Sequence, residues 1–235
     1  MSHINQEFDQ FAQNYRENLD KSLSLSGESS SYFAELKVRK LAEWFPGIID
    51  KKIVILDFGC GDGMMTGYMA NYFKNAEIYG ADPSPKSIEI AQKKYPKLHF
   101  FISSDSSTQL DFVDGMFDII CAAGAFHHIP FDMHQGYMDE IARVLKPGGS
   151  FVLFELNPLN PLTVRTFNNN PIDQNAKMLT PWYAYRLTNS RGRSKIKFYC
   201  FFPSVLRWLR FTEKFLAKIP CGALYAVIMQ KKIKQ

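Results

Sequence analysis

The segment that most constrains this chain is Ile53-Val54-Ile55-Leu56-Asp57-Phe58-Gly59-Cys60-Gly61-Asp62-Gly63, an apolar run that ends in three alternating glycines. Its β-branched and large apolar side chains fit a buried strand. The glycines let backbone N–H groups approach a ligand where a Cβ would collide. A helix opening behind them favours a carboxylate or phosphate at its N-terminus. A tight strand-to-helix turn that binds nothing would share this composition, so the loop by itself gives a geometry and not a ligand.

A strand and helix rhythm surrounds the loop. Apolar patterning predicts strands over 53–57, 76–82, 98–103, 116–122 and 150–156, with helices over 63–73, 84–94 and 133–145 and a turn at 146–149. Short strands joined mostly by helices imply right-handed crossovers and a parallel sheet covered on both faces, a doubly wound α/β fold. Before this core, Phe8, Phe11, Tyr15 and Leu19 fall at spacings of three and four, and a Ser/Gly-rich break at 22–31 leads to a second helical stretch at 32–45. After Asn157 come a polar, Pro- and Asn-rich segment to 181, a strand at 195–202, an amphipathic helix at 204–218 and a last strand at 223–229, which suit an antiparallel addition to the sheet edge. A length of 235 residues accommodates one such domain, divided into a helical part at 1–50, a core at 51–156 and a further part at 157–235.

Spacing separates two classes of nucleoside cofactor. A dinucleotide fingerprint, G-x-G-x-x-G, counted from Gly59 requires glycine at 64, where this chain has Met64 and shows G-x-G-x-G instead. Asp82 lies about 20 residues beyond the loop, at the end of the second strand, where a carboxylate can accept both hydroxyls of a ribose. Both cofactor classes use such an acid, so Asp82 supports a nucleoside without choosing between them.

Five pieces in order, ILDFGCGDG, IYGADPSPKSIEIA, SSDSSTQLDF, FDIICAAGAFHHI and VLKPGGSFVLFE, cover roughly residues 50–156 and resemble the class I S-adenosylmethionine-dependent methyltransferases. The resemblance implies a mostly parallel seven-stranded sheet with one antiparallel strand, and S-adenosyl-L-methionine as cofactor. It implies that the loop residues Asp57, Gly59, Cys60 and Gly61 hold the methionine part, that Asp82 binds the ribose and that Pro83 lies on the adenine. Asp105 with Ser106 would contact the adenine edge, and Ala122 and Ala123 would pass near the methionine moiety. The stretch from Phe8 to Tyr15 is similar to the F-x-x-x-A-x-x-Y lead-in of small-molecule, quinone-modifying members, where it forms a lid. Tyr15 is then either a cofactor contact or an ordinary core aromatic. Lys37 and Arg39 either reach the cofactor carboxylate or lie on a solvated helix face.

His127 and His128 follow the fourth strand at the mouth of the expected crevice, where ligands bind in open α/β sheets. A histidine there can take a proton from an acceptor near neutral pH, or simply shape the pocket. Glu155, at the end of the fifth strand, is a further candidate base or acceptor contact, or the partner of a nearby cation. Methyl transfer from a sulfonium needs mainly alignment and desolvation, so a dedicated base is optional. His134 and Asp132 lack the spacing of known metal sites, and no metal is expected.

The remaining features bear on the acceptor and on partners. Trp182, Tyr183, Tyr185 and Arg186 punctuate the polar segment, and the resemblance implies that an insertion here caps the acceptor pocket, with these side chains lining it. Residues 191–235 hold eleven Lys or Arg against Glu213 alone, within a net charge of +5. This basic end either forms a solvated face, with the 204–218 helix packed on the sheet, or attracts an anionic acceptor or lipid surface. No nucleic-acid-binding motif accompanies it, so no specific nucleic-acid partner is expected. Four dispersed cysteines without a C-x-x-C pair read as free, buried thiols. The absence of a long apolar run and of a signal-like start points to a cytoplasmic protein. Together these features lead to the expectation of an enzyme that methylates a small-molecule or lipid-like acceptor. The competing expectations are a cofactor-binding module acting through a partner and an NAD-linked oxidoreductase.

Overall fold

The computed structural model describes Asp9, residues 11–104 and residues 107–233. Phe8, Asp105 and Ser106, all singled out above, lie outside the described residues. Seven strands form one sheet: β1 (Val54–Phe58), β2 (Glu77–Asp82), β3 (His99–Ile102), β4 (Phe117–Ala123), β5 (Leu145–Leu156), β6 (Gly192–Tyr199) and β7 (Leu224–Lys231). Their order is β3-β2-β1-β4-β5-β7-β6, with β1 to β5 parallel and β7 antiparallel to both β5 and β6. The expected doubly wound sheet is thus present.

The central strands are buried on both faces, and the period-two alternation of a strand decides which cluster each residue joins. Leu56, Phe58, Ile120, Ala122, Phe151 and Leu153 face one side, against Tyr137, Met138 and Ile141 of helix α5 (His134–Val144). Ile55, Ile119, Cys121, Val152 and Phe154 face the other, against Leu41 of α2 (Ser30–Trp44) and Met65 and Met69 of α3 (Met64–Tyr72). A short α1 (Tyr15–Ser22) precedes α2, and α4 (Pro85–Lys94) links β2 to β3. β1 lies between β2 and β4, so chain order reverses there and a crevice opens at the carboxyl ends of these strands.

Four segments depart from the sequence expectation. The turn expected at 146–149 lies within β5, which begins at Leu145. The polar stretch after Asn157 contains α6 (Pro161–Asn168), and α7 (Pro181–Asn189) follows it. Both begin with a capping side chain followed by proline at the first helical position: Asn160 Oδ1 accepts from the N–H groups of Leu162 and Thr163, and Thr180 Oγ1 accepts from Tyr183 N–H. β6 ends at Tyr199 and not at 202, because Cys200 takes a left-handed backbone, φ 61°. The continuous helix expected over 204–218 is instead a 3-10 segment, Ser204–Thr212, interrupted at Leu206, followed by the single α turn of α8 (Glu213–Leu216). Its outward apolar side chains are not packed on the sheet. The thiols also differ from expectation in one case: Cys60 and Cys121 are buried and Cys200 half-buried, but Cys221 is exposed.

Tyr225 of β7 is fully buried, and its hydroxyl donates to Leu179 O at 2.8 Å, fixing the entry to α7. Tyr225→Phe leaves that carbonyl unmet, and urea unfolding is expected to show a loss of about 1–3 kcal/mol.

Candidate active site

The crevice is built around the loop between β1 and α3. Gly59, Gly61 and Gly63 all have left-handed backbones, φ 75°, 53° and 74°. A Cβ on Gly59 would come within 2.5 Å of Ala125 Cβ, whereas one on Gly61 would meet nothing within 4 Å. Gly59 is therefore required by packing as well as conformation, and Gly61 by conformation beside open space. The loop is tied to the neighbouring strand: Gly59 N–H and Cys60 N–H both donate to Ala81 O, at 2.8 and 3.1 Å. Gly61 N–H donates to Asp82 Oδ2 at 2.8 Å, and Ser84 N–H donates to Asp82 Oδ1 at 2.9 Å. Burial pushes the Asp82 carboxyl up to about 6 against the lowering effect of these two N–H bonds. Asp57 lies below the loop, accepts from Thr66 Oγ1 at 2.7 Å, and is likewise pushed up to about 6 by burial.

Two cavities meet at this loop. The smaller, about 100 Å³, is lined by Asp82, Pro83 and Ser103 on its polar side and by Ile129, Met133 and Tyr137 on its apolar side. The larger, about 250 Å³, is lined by Asp57, Cys60, Lys37, Arg16 and Glu155 and by apolar side chains including Leu19, Phe33, Leu162, Ile172, Phe201 and Leu224. Tyr15, Gly59, Gly61, Ala123, Gly124 and His128 line both and form the wall between them.

The expected site residues are mostly gathered here. Tyr15, Asp57, Gly59, Cys60, Gly61, Asp82, Pro83, Ala123, His127, His128 and Glu155 all line one cavity or both. Ala122 does not: strand alternation turns it into the core beside Phe58, leaving Ala123 and Gly124 at the crevice. Lys37 reaches the larger cavity, where burial and the nearby Arg16 lower its pKa to about 8. Arg39 stays on the outer face of α2, its guanidinium 5.6 Å from the Tyr32 ring. Trp182, Tyr183 and Tyr185 line neither cavity, because α7 packs against α5, with Tyr183 Oη 2.9 Å from His134 Nδ1.

Behind the shared wall lies a buried charge cluster. His127 Nδ1 donates to Glu155 Oε2 at 2.6 Å, and Glu155 Oε1 accepts from Phe126 N–H at 3.1 Å. On the other side, Asp173 Oδ1 stands 3.4 Å from both His127 Nε2 and His128 Nε2, and Asp173 Oδ2 accepts from Asn170 Nδ2 at 2.7 Å. Burial disfavours a charged His127, yet the Glu155 and Asp173 carboxylates outweigh it and push its pKa up to about 10. Burial raises the Asp173 carboxyl, but hydrogen bonds from the two imidazoles hold it well below the usual range. His128 moves the other way, lowered by burial and by the adjacent His127 imidazolium. One histidine is thus cationic and fixed, while the other is neutral and faces both cavities.

Donor atoms of His127, His128 and Asp173 lie within 4.8 Å of one another, close enough for a metal ion. Both His127 ring nitrogens already face carboxylates, Nδ1 at Glu155 and Nε2 at Asp173, so the ion pairs account for the cluster as it stands. Arg16 completes the site from α1. Its guanidinium is paired with Asp62, Nε to Oδ2 at 3.1 Å, which anchors the first helix over the loop. Sequence reasoning missed Arg16, Asp62 and Asp173. For Asp173 the only local signal was the capping pattern Asn170-Pro171, and nothing in spacing links it to His127.

A glycine loop at a sheet reversal, an acid at the end of β2 and an apolar slot beside it define a nucleoside-binding α/β protein with a second, largely apolar chamber. Residues 56–153 match the methyltransferase-domain family. A demethylmenaquinone methyltransferase of Chlorobaculum parvum is 31% identical over 167 residues, 71% of this chain and 65% of that protein. A fatty-acid O-methyltransferase of Mycolicibacterium smegmatis is 30% identical over 105 residues, 44% of this chain and 37% of that protein. The chain spans 65%, 47% and 65% of the lengths of the first three curated relatives it matches. Among solved structures, a SAM-dependent methyltransferase from Archaeoglobus fulgidus superposes with TM-score 0.66 at 17% identity, covering 86% of this chain and 95% of that one. Over residues 56–153 the chain carries a domain of the class I S-adenosylmethionine-dependent methyltransferase family. The family's cofactor is S-adenosyl-L-methionine, which sets aside the NAD-linked alternative.

The residues present fit that cofactor: Asp82 would meet ribose hydroxyls, the slot beside Pro83 would take adenine, Asp57 would face an ammonium, and Arg16 or Lys37 a carboxylate. Asp82→Ala is expected to weaken S-adenosylhomocysteine binding by ~1–3 kcal/mol in calorimetric titration. An ionised Asp82 accepts from hydroxyls better than a neutral one. Wild-type affinity should therefore fall as pH drops through about 6, where Asp57 also gains a proton, and Asp82→Ala should make that limb shallower without removing it.

Proposed function

We propose that this protein transfers a methyl group to a hydroxyl of an apolar, lipid-like small molecule held in the larger cavity, with His128 as proton acceptor. The observation that carries this reading is the position of His128 on the wall shared by both cavities, neutral and beside the Asp173 carboxylate. The sulfonium cofactor supplies an activated methyl group, so the chain's task is alignment, exclusion of water and removal of one proton. As the new O–C bond forms and the S–C bond breaks, the hydroxyl proton passes to His128. Asp173 then lies against the new imidazolium and offsets its charge, the role a buried carboxylate plays beside a histidine base.

His127 and Glu155 act as positioning residues. The cationic His127 ties Asp173 to the end of β5 through Glu155, and it disfavours a proton on His128 until the substrate delivers one. Leu19, Leu23, Phe33, Leu162, Ile172 and Phe201 give the acceptor chamber walls suited to aliphatic or isoprenoid-like carbon. The names of relatives, which include a demethylmenaquinone, a fatty-acid and a sterol methyltransferase, support an acceptor of that character.

Methyl transfer from labelled cofactor into a cellular lipid extract, followed by mass identification of the product, tests the reading. His128→Gln is expected to lower kcat by ~10²–10⁴-fold. Wild-type kcat should fall on the acid side below the ordinary histidine value, because burial lowers the pKa of His128. A chelator is expected to leave the rate unchanged. Repeated failure to label any component while S-adenosylhomocysteine still binds would favour a cofactor-binding module that acts through a partner.

A further inference from the structure

The segment after Pro203 reverses the usual placement of apolar side chains. Val205, Trp208, Phe211 and Phe215 are 80%, 67%, 70% and 75% exposed. Residues three apart eclipse in a 3-10 helix, so Trp208 and Phe211 share one line, and Phe215 continues it four residues on in α8. Single exposed apolar residues are ordinary, whereas a row of large ones marks an interaction surface.

The underside of the segment explains why this row points outward. Glu213 Oε1 accepts from Phe201 N–H at 2.9 Å and from Phe202 N–H at 3.3 Å. Arg210 donates to Phe202 O and to Glu28 Oε1, the latter at 2.9 Å. These polar anchors hold one side of the segment to the body and leave the aromatic side free of it.

Charge indicates the partner. Exposed Arg207, Lys214 and Lys218 interleave with the aromatic row, and Lys214 Nζ lies 5.0 Å from the Phe215 ring centre. Glu213 is the sole acid between residues 191 and 235, and its carboxylate is turned inward. Aromatic side chains flanked by unopposed basic groups suit the headgroup region of an anionic bilayer, where rings sit at the interface and cations meet phosphates. The larger cavity is walled by Phe201, Phe202 and Pro203, the residues leading directly into the row, and by the exposed Leu162. Among the described residues no helix is long and apolar enough to cross a membrane, so the fit is to a surface contact.

We propose that residues 204–219 dock this protein on an anionic lipid bilayer, with Trp208, Phe211 and Phe215 in the headgroup layer and Arg207, Lys214 and Lys218 on anionic headgroups. The docking brings the wall of the acceptor cavity against the lipid. Only that last consequence rests on the methyltransferase reading, since vesicle binding is measured without turnover.

The test is co-sedimentation of the full chain with vesicles of phosphatidylcholine alone or mixed with phosphatidylglycerol. Binding is expected only with phosphatidylglycerol present and should weaken as salt rises. R207A/K214A/K218A should lower the partition coefficient on the order of a hundredfold. W208A/F211A/F215A should abolish binding while melting temperature and S-adenosylhomocysteine affinity stay unchanged, since these side chains touch neither core nor cofactor cavity. Wild-type protein remaining in the supernatant at every lipid composition would overturn the proposal, as would an aromatic variant that binds like wild type. Dimerisation abolished by the aromatic substitutions, with no vesicle binding, would overturn it in favour of a second copy of this chain.

Discussion

The site depends on the way one loop is pinned to one neighbouring strand. Gly59, Cys60 and Gly61 spend their N–H groups on Ala81 O and the Asp82 carboxylate, so the turn after β1 and the acid ending β2 form one rigid unit. The left-handed glycines make the turn feasible, and Ala125 packed 2.5 Å from where a Gly59 Cβ would lie brings the end of β4 against it. The cofactor crevice, the shared cavity wall and His128 all follow from that junction. Its cost is a carboxyl held in a buried place where ionisation is disfavoured, a cost a ligand with hydroxyl donors would offset.

The second organising feature is the buried chain Glu155–His127–Asp173–His128. Two carboxylates around one imidazolium leave the neighbouring ring neutral, which separates the roles of adjacent histidines that sequence alone makes equivalent. Removing one member of such a network leaves an uncompensated buried charge, commonly a loss of about 3–5 kcal/mol. The cluster therefore couples stability to the geometry of the shared wall. It joins the ends of β4 and β5 to the connection after α6, so one wall of the larger cavity is braced by these charges.

What was legible in the sequence follows the distance over which each signal acts. The glycine loop, Asp82 and the strand alternation are contiguous signals, and the sheet and most of the residues that line the crevice follow from them. Ala122 faces the core while Ala123 borders the crevice, since one residue along a strand changes the face. Asp173 could not be read, because the fold alone brings it to His127. Trp182, Tyr183, Tyr185 and Arg186, expected at an acceptor pocket, line neither cavity, because Tyr183 pairs with His134 and α7 packs against α5. The amphipathic α-helix expected over 204–218 does not form, and the 3-10 geometry with the inward anchors Arg210 and Glu213 sets which side faces out.

The account stands on where the cofactor lies. A crystal structure of the protein grown with S-adenosylhomocysteine should show the ribose hydroxyls on Asp82, the adenine beside Pro83 and the sulfur directed toward the wall that carries His128 and Gly124. Density for the ligand away from the β1–α3 loop, or a ribose that makes no contact with Asp82, would contradict it.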